Sequence, residues 1–213
     1  MSLRDARLYG ILDLGYVQRA DALQVARAMI AGGVDIIQLR AKKQSVAEIA
    51  ALATELHGVT SDANVPLIIN DHAEVAREVG AEGVHVGQDD ISIARSRQLA
   101  GSSSVVGRST HSLEQAKRAG DEGADYIGFG PLFATPTKPD YVPIGLDDIR
   151  AAHAAADFPI FCIGGVKLEN LAEVIAAGAQ RVVIVSGLLQ AGDIAQYARS
   201  AKALLNRNSE IKK

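Results

Sequence analysis

Short apolar, β-branched runs alternate with longer amphipathic stretches from one end of the chain to the other. The runs predict strands at Leu8–Asp13, Asp35–Arg40, Val65–Asp71, Gly83–Gly87, Ser104–Ser109, Asp125–Gly130, Phe158–Gly164 and Arg181–Ser186. Between them the spacing predicts helices at Ala20–Ala31, Ser45–Val59, Ala73–Val79, Ile91–Ala100, Leu113–Glu122, Leu146–Ala155, Leu168–Ala177 and Asp193–Leu205. Gly33, Gly80, Gly101, Gly123 and Gly178 follow helical stretches and suit left-handed C-caps, where a Cβ would clash. Strict alternation of apolar strands with helices implies a parallel sheet covered by helices. Eight such units in 213 residues fit a single-domain α/β chain, a trimmed (β/α)8 TIM barrel spanning 1–213. A doubly wound open sheet would suit a Gly-x-Gly-x-x-Gly turn after the first strand, where this chain has Asp13-Leu14-Gly15-Tyr16. Only Asn206–Lys213 reads as a frayed polar tail.

Composition narrows the function. Aromatics are 4% of the chain and Trp is absent, so Ala, Val, Ile and Leu must fill the core. The 22 Lys and Arg against 25 Asp and Glu leave a net charge of −3, with no basic surplus for a nucleic-acid partner. The lone Cys162 excludes an intrachain disulfide and any cysteine-based zinc cluster. No apolar run reaches the ~18 residues of a membrane span, and Met-Ser-Leu-Arg-Asp does not open a signal peptide. A soluble, cytoplasmic protein with no membrane partner is expected.

In a barrel of this kind, functional groups gather at the C-terminal strand ends. Polar residues interrupt the strands at that end repeatedly. On strand 2 a period of two puts Gln38, Arg40 and Lys42 on one face and Leu39 and Ala41 on the other. Two cations and an amide converging on the mouth suit a multiply charged anion; a solvated loop start is the alternative. Asn70-Asp71 and Asp90 follow strands 3 and 4. Paired carboxylates suit Mg²⁺, which takes one or two of them plus substrate phosphate oxygens. Helix N-capping by Asp71 and Asp90 would explain them equally well. The loop Pro131–Pro143 carries Thr135, Thr137 and Lys138, and loops of this length in compact domains are often functional. Gly164-Gly165 and Ser186-Gly187 follow strands 7 and 8, where such barrels frequently bind phosphate, and Gly187–Gln190 could supply the short helical turn. Two anion sites at one mouth suggest two phosphorylated small-molecule substrates. Among the histidines, His85 reads as a hydrogen-bonded core residue and His111 as a catalytic candidate near the mouth. His57 and His153 read as surface positions, and His72 as a neighbour of the metal. Cys162 reads as a buried, inert thiol. No Ser-His-Asp order and no Cys-His pair stands out.

Seven segments, in order, resemble the thiamin phosphate synthase family. They are Gln38-Leu39-Arg40-Ala41-Lys42, Ile69-Asn70-Asp71, Val84-His85-Val86-Gly87-Gln88-Asp89-Asp90, Gly107-Arg108-Ser109-Thr110-His111, Asp125-Tyr126-Ile127-Gly128-Phe129-Gly130-Pro131 continued by Thr135-Pro136-Thr137-Lys138, Ile163-Gly164-Gly165, and Val185-Ser186-Gly187. The resemblance implies a transferase that joins a hydroxymethylpyrimidine pyrophosphate to a hydroxyethylthiazole phosphate and releases pyrophosphate. It implies that Gln38, with the Leu39 and Ala41 segment, meets the pyrimidine. Arg40, Lys42, Asn70, Ser109 and Lys138 would hold the pyrophosphate, with Arg40, Lys42, Ser109 and Lys138 acting catalytically. Asp71 and Asp90 would bind Mg²⁺, and Thr135, Pro136, Thr137, Gly165, Val185 and Ser186 the thiazole phosphate. The implied mechanism is dissociative: pyrophosphate leaves, the aminopyrimidine shares the resulting methyl cation, and the thiazole nitrogen attacks without a general base. His72 stands where the family often has Arg. Thiazole tautomerases share the fold and the thiazole-phosphate turns without needing the pyrophosphate groups. A ligand-sensing barrel without turnover and a sugar-phosphate isomerase or epimerase are further alternatives. A homo-oligomer is compatible with all of these.

Overall fold

The computed structural model of the chain describes residues 3–135 and 142–210. Eight parallel strands close in chain order into a barrel: β1 (Leu8–Asp13), β2 (Ile36–Arg40), β3 (Leu67–Asn70), β4 (Gly83–Val86), β5 (Val105–Thr110), β6 (Tyr126–Phe129), β7 (Ile160–Cys162) and β8 (Val182–Ile184). The outer helices are α1 (Ala22–Ala31), α2 (Val46–Asp62), α3 (Ala73–Val79), α4 (Ile93–Ala100), α5 (Leu113–Asp121), α6 (Ile149–Ala154) and α7 (Leu168–Ala176), then a short α8 (Ser186–Leu189) and α9 (Ile194–Glu210). The expected TIM barrel is therefore present. β1 and α3 keep their expected bounds, while most strands are shorter than the apolar runs that announce them. β7 is the extreme case. Pro159 has no N–H for the ladder, and Gly164 turns away at φ 96°. Two details depart from expectation. Gly80 is a left-handed cap (φ 74°, ψ 21°), but Gly101 combines φ 111° with ψ 150° and lies outside that region. The supposed polar tail is helical as far as Glu210, because α9 continues past Leu205.

Period-two alternation sorts the strand residues into two cores. Leu8, Leu12, Ile37, Leu39, Leu67 and Ile69 face the helices in one large cluster. Tyr9, Ile11, Ile36, Ile68, Tyr126, Phe161 and Val183 form a second cluster inside the barrel. Phe161 packs edge-on against both Tyr9 and Tyr126, with centroids 5.4 and 5.7 Å apart. Gly107 makes this possible, since a Cβ there would lie 2.1 Å from Tyr126 Cζ. The aromatic plug packs the lumen, and the space above it is lined by polar side chains together with Ile11, Ile163, Val183 and Val185. Among the described residues, no helix is long and apolar enough to cross a membrane.

Candidate active site

The inward-facing positions nearest the C-terminal strand ends are Asp13, Gln38, Arg40, Asn70, His85 and Ser109. All but Asp13 line one recess of about 780 Å³, including space open to solvent. Thr135, Gly165, Val185 and Ser186 line the same recess. Some of the residues expected at each of the two anion sites thus share one cavity. Lys42, Asp71 and Asp90 stand beyond its lining. Leu39 and Ala41 are buried against the helices, so neither side chain reaches the recess. Pro136, Thr137 and Lys138 lie outside the described residues.

The cations do not stand alone. Arg40 Nη1 donates to Asp13 Oδ2 at 2.6 Å, and Asp13 is 2% exposed. The strand register pairs the two residues directly, and Asp13 also accepts from the Gly15 N–H at 2.9 Å. Sequence reasoning missed Asp13, although it carries the same signal as the other sites: a polar residue at a strand's C-terminal end. Lys42 Nζ pairs with Asp71 Oδ2. Asp71 reaches it from a left-handed backbone conformation, φ 66°, which is sparsely populated by residues other than glycine. Burial pushes the Asp71 carboxyl above its ordinary value, against the pull of Lys42 and with a further push from Asp90.

The helix-capping explanation of the two carboxylates fails. His72 is the N-cap residue of α3, and Ser92 caps α4 by accepting from Arg95 N at 3.1 Å. Asp90 instead accepts from Gly87 N at 2.7 Å within its own loop. Arg108, 8% exposed, ties that loop to β5 by donating to the Gln88 and Ile91 carbonyls, each at 3.2 Å. Among the described residues no group of three or more His, Cys, Asp or Glu could hold a metal ion. Two carboxylates, with Asp90 near enough to push Asp71 up, do fit Mg²⁺, which keeps waters and takes substrate phosphate oxygens.

The glycine turn after β7 has a packing role of its own. A Cβ on Gly164 would lie 2.4 Å from Pro131 Cα, and one on Gly165 2.7 Å from Phe133 Cβ. These glycines let the loop after β6 pack down, which brings Thr135 to the recess. Ser186, 8% exposed, opens α8 one residue earlier than the expected turn. His111 lines the recess but also braces β5 to β6, its Nδ1 donating to the Gly130 carbonyl. His85 is hydrogen-bonded as expected, yet it too lines the recess, with Nε2 3.0 Å from Ser109 Oγ. Burial pushes the Cys162 thiol up to about 12, consistent with an inert core residue.

Residues 8–188 match the family model described as Thiamine monophosphate synthase. The chain belongs to that family. It is 43% identical to the thiamine-phosphate synthase of Chloroflexus aurantiacus over 207 residues, 97% of this chain and 95% of that one. The thiamine-phosphate synthase of Shouchella clausii is 39% identical over 98% of this chain and 100% of its own. The thiamine phosphate pyrophosphorylase structure from Pyrococcus furiosus superposes with a TM-score of 0.89 at 28% identity, covering 97% of this chain and 99% of that one. Thiamin phosphate synthesis, a transferase activity, is what membership of the thiamine monophosphate synthase family carries.

Proposed function

We propose that the recess condenses 4-amino-2-methyl-5-(diphosphooxymethyl)pyrimidine with 4-methyl-5-(2-phosphoethyl)thiazole, giving thiamin monophosphate and pyrophosphate. The observation that carries this division of labour is the shared cavity. Gln38, Arg40, Asn70 and Ser109 line it from strands β2, β3 and β5, and Thr135, Gly165, Val185 and Ser186 from the segments that follow β6, β7 and β8. Arg40, Asn70 and Ser109, with Lys42 and Lys138, hold the pyrophosphate, and Gln38 meets the pyrimidine. Thr135, Pro136, Thr137, Gly165, Val185 and Ser186 hold the thiazole phosphate. Asp71 and Asp90 would hold Mg²⁺, whose contribution is to neutralise charge on the pyrophosphate.

What remains for the protein is positioning and charge stabilisation. As the C–O bond to pyrophosphate breaks, negative charge grows on the leaving group, and the guanidinium of Arg40 and ammonium of Lys42 face that charge. The aminopyrimidine ring delocalises the methyl cation left behind. The thiazole nitrogen already has a lone pair, so attack needs no general base. That agrees with His111 being engaged with Gly130 and with His85 being hydrogen-bonded to Tyr126 and Ser109. The test is incubation of purified protein with both substrates and Mg²⁺, with product identified by mass. Thiamin monophosphate is expected only when all three are present. Thiazole isomerisation without condensation would instead identify a tautomerase.

A further inference from the structure

Five side chains inside the barrel make a continuous hydrogen-bonded chain that the condensation does not by itself require. Gln38 Nε2 donates to Tyr9 Oη at 2.7 Å. Tyr9 Oη lies 3.0 Å from Tyr126 Oη, Tyr126 Oη 3.1 Å from His85 Nδ1, and His85 Nε2 3.0 Å from Ser109 Oγ. Gln38, Tyr9 and Tyr126 are each at most 2% exposed. Burial pushes both phenols well above their ordinary values, so both keep their protons.

The chain has a direction. An amide nitrogen can only donate, so Tyr9 accepts from Gln38; with each hydroxyl accepting once and donating once along the chain, its own proton goes to Tyr126. Tyr126 in turn donates to His85 Nδ1, which leaves the imidazole proton on Nε2, facing Ser109 Oγ. The Ser109 proton is then directed onward, and Gln38 presents its carbonyl oxygen. Reversing every bond is possible only if the Gln38 amide turns over. The amide would then present its NH₂ group, and Ser109 would present only lone pairs. The two ends therefore switch together.

We propose that Tyr9, Tyr126 and His85 are positioning residues which lock this chain in the first direction, so that Gln38 offers an acceptor and Ser109 a donor to the pyrimidine substrate. The inference rests on the functional assignment above, in which Gln38 meets the pyrimidine and Ser109 the pyrophosphate. A 4-amino group needs an acceptor, and pyrophosphate oxygens need donors. The first direction satisfies both ends of the substrate and the reverse satisfies neither. Binding at either end thus reinforces the other through the buried Tyr9 and Tyr126 hydroxyls, which do not line the recess.

The test compares the 4-amino pyrimidine pyrophosphate with its 4-oxo counterpart, which accepts where the substrate donates. Calorimetry on the wild type should show at least roughly tenfold preference for the amino compound, the scale of one mismatched buried hydrogen bond. Tyr9→Phe and Tyr126→Phe keep the aromatic packing but release the amide to turn. Each should bring the preference to within about threefold, with thiazole phosphate affinity unchanged. An unaltered amino-to-oxo preference in both variants would overturn the proposal. So would an equal loss of affinity for both probes, which marks general damage to the barrel. Wild-type protein that fails to bind the amino compound would overturn the functional assignment first, and the proposal with it. Nitrogen NMR of His85 in the wild type gives a readout independent of any variant. A proton on Nε2 is expected, and one on Nδ1 alone would refute the stated direction.

Discussion

Removing the Asp13 carboxylate should strand a guanidinium at the barrel mouth. Arg40 Nη1 and Asp13 Oδ2 are 2.6 Å apart, with side chains 17% and 3% exposed. At an effective dielectric constant of about 20 their attraction is ~6 kcal/mol, most of it offset by the cost of dehydrating both ions. The mutation exposes a different quantity, since Arg40 loses its partner without regaining full hydration. Breaking a buried pair in this way costs about 3–5 kcal/mol. Arg40 can turn partly to water at the open mouth, which favours the lower end, ~3 kcal/mol. The Gly15 N–H loses its acceptor as well, for on the order of 1 kcal/mol more. Asp13→Ala should therefore lose about 4 kcal/mol and lower Tm by roughly 10 °C for a chain of this size.

Stability to denaturant of Asp13→Ala, Arg40→Ala and the double variant isolates the pair. A coupling of roughly 2 kcal/mol or more is expected. Asp13→Asn keeps the shape and an acceptor for Gly15, so it should lose less than Asp13→Ala. A Tm shift below about 2 °C, with coupling within ~0.5 kcal/mol of zero, would show that Arg40 does not depend on Asp13. The KM for the pyrimidine pyrophosphate should move in these variants while that for the thiazole phosphate holds.

Asp71→Asn and Asp90→Asn should each lower turnover by orders of magnitude and weaken Mg²⁺ activation; full activity of both in excess chelator would refute the metal assignment. Ser186→Asp should weaken thiazole phosphate binding strongly and pyrimidine pyrophosphate little, by like-charge repulsion in a partly desolvated pocket. The reverse order in a titration would mean that the two sites are exchanged. Gly165→Asp would be a poor substitute, because its Cβ would strike Phe133. Cys162 should resist alkylation in the native chain at pH 8 and react once the chain is unfolded. Its unfolded thiol ionises from about 9.0 while the native one holds its proton to about 12, so stability should fall as pH rises through that window. Tyr9 and Tyr126 act in the same direction. Cys162→Ala should lessen the alkaline loss, and an identical alkaline profile would count against the buried thiol.

The barrel was legible because its signal is local and repeated. Each strand announces itself by an apolar run, and parity alone places Gln38 and Arg40 inside and Leu39 outside, as found. Element ends were less legible, because they depend on partners. The run Phe158–Gly164 looks like a full strand, but Pro159 and the positive φ of Gly164 leave three residues of ladder. Asp71 and Asp90 could be read as caps until the backbone put His72 and Ser92 in those places. The pair Tyr9 and Tyr126 was beyond sequence reasoning for a further reason. They meet across the closed barrel at a separation of 117 residues, and only closure with this register brings their hydroxyls together.

What parity cannot give is charge balance, and that governs how the mouth works. Gln38, Arg40 and Lys42 suggest two cations waiting for an anion. The structure gives each cation a carboxylate, Asp13 for Arg40 and Asp71 for Lys42. A free long cationic side chain loses up to about 2 kcal/mol of rotamer freedom when a ligand immobilises it. Here the acidic partners have already imposed much of that loss during folding. The two pairs nonetheless differ. Asp13 is almost fully buried and fixed by the Gly15 N–H, so it holds Arg40 as part of the barrel wall. Lys42 is about half exposed, 48% against 19% for Asp71, so their attraction is screened by water and easily exchanged. On the proposed assignment of both cations to the pyrophosphate, Arg40 is thus suited to define where it sits, and Lys42 to move with it as charge builds on the leaving group. Truncating Arg40 should therefore act mainly on substrate binding, and truncating Lys42 mainly on turnover.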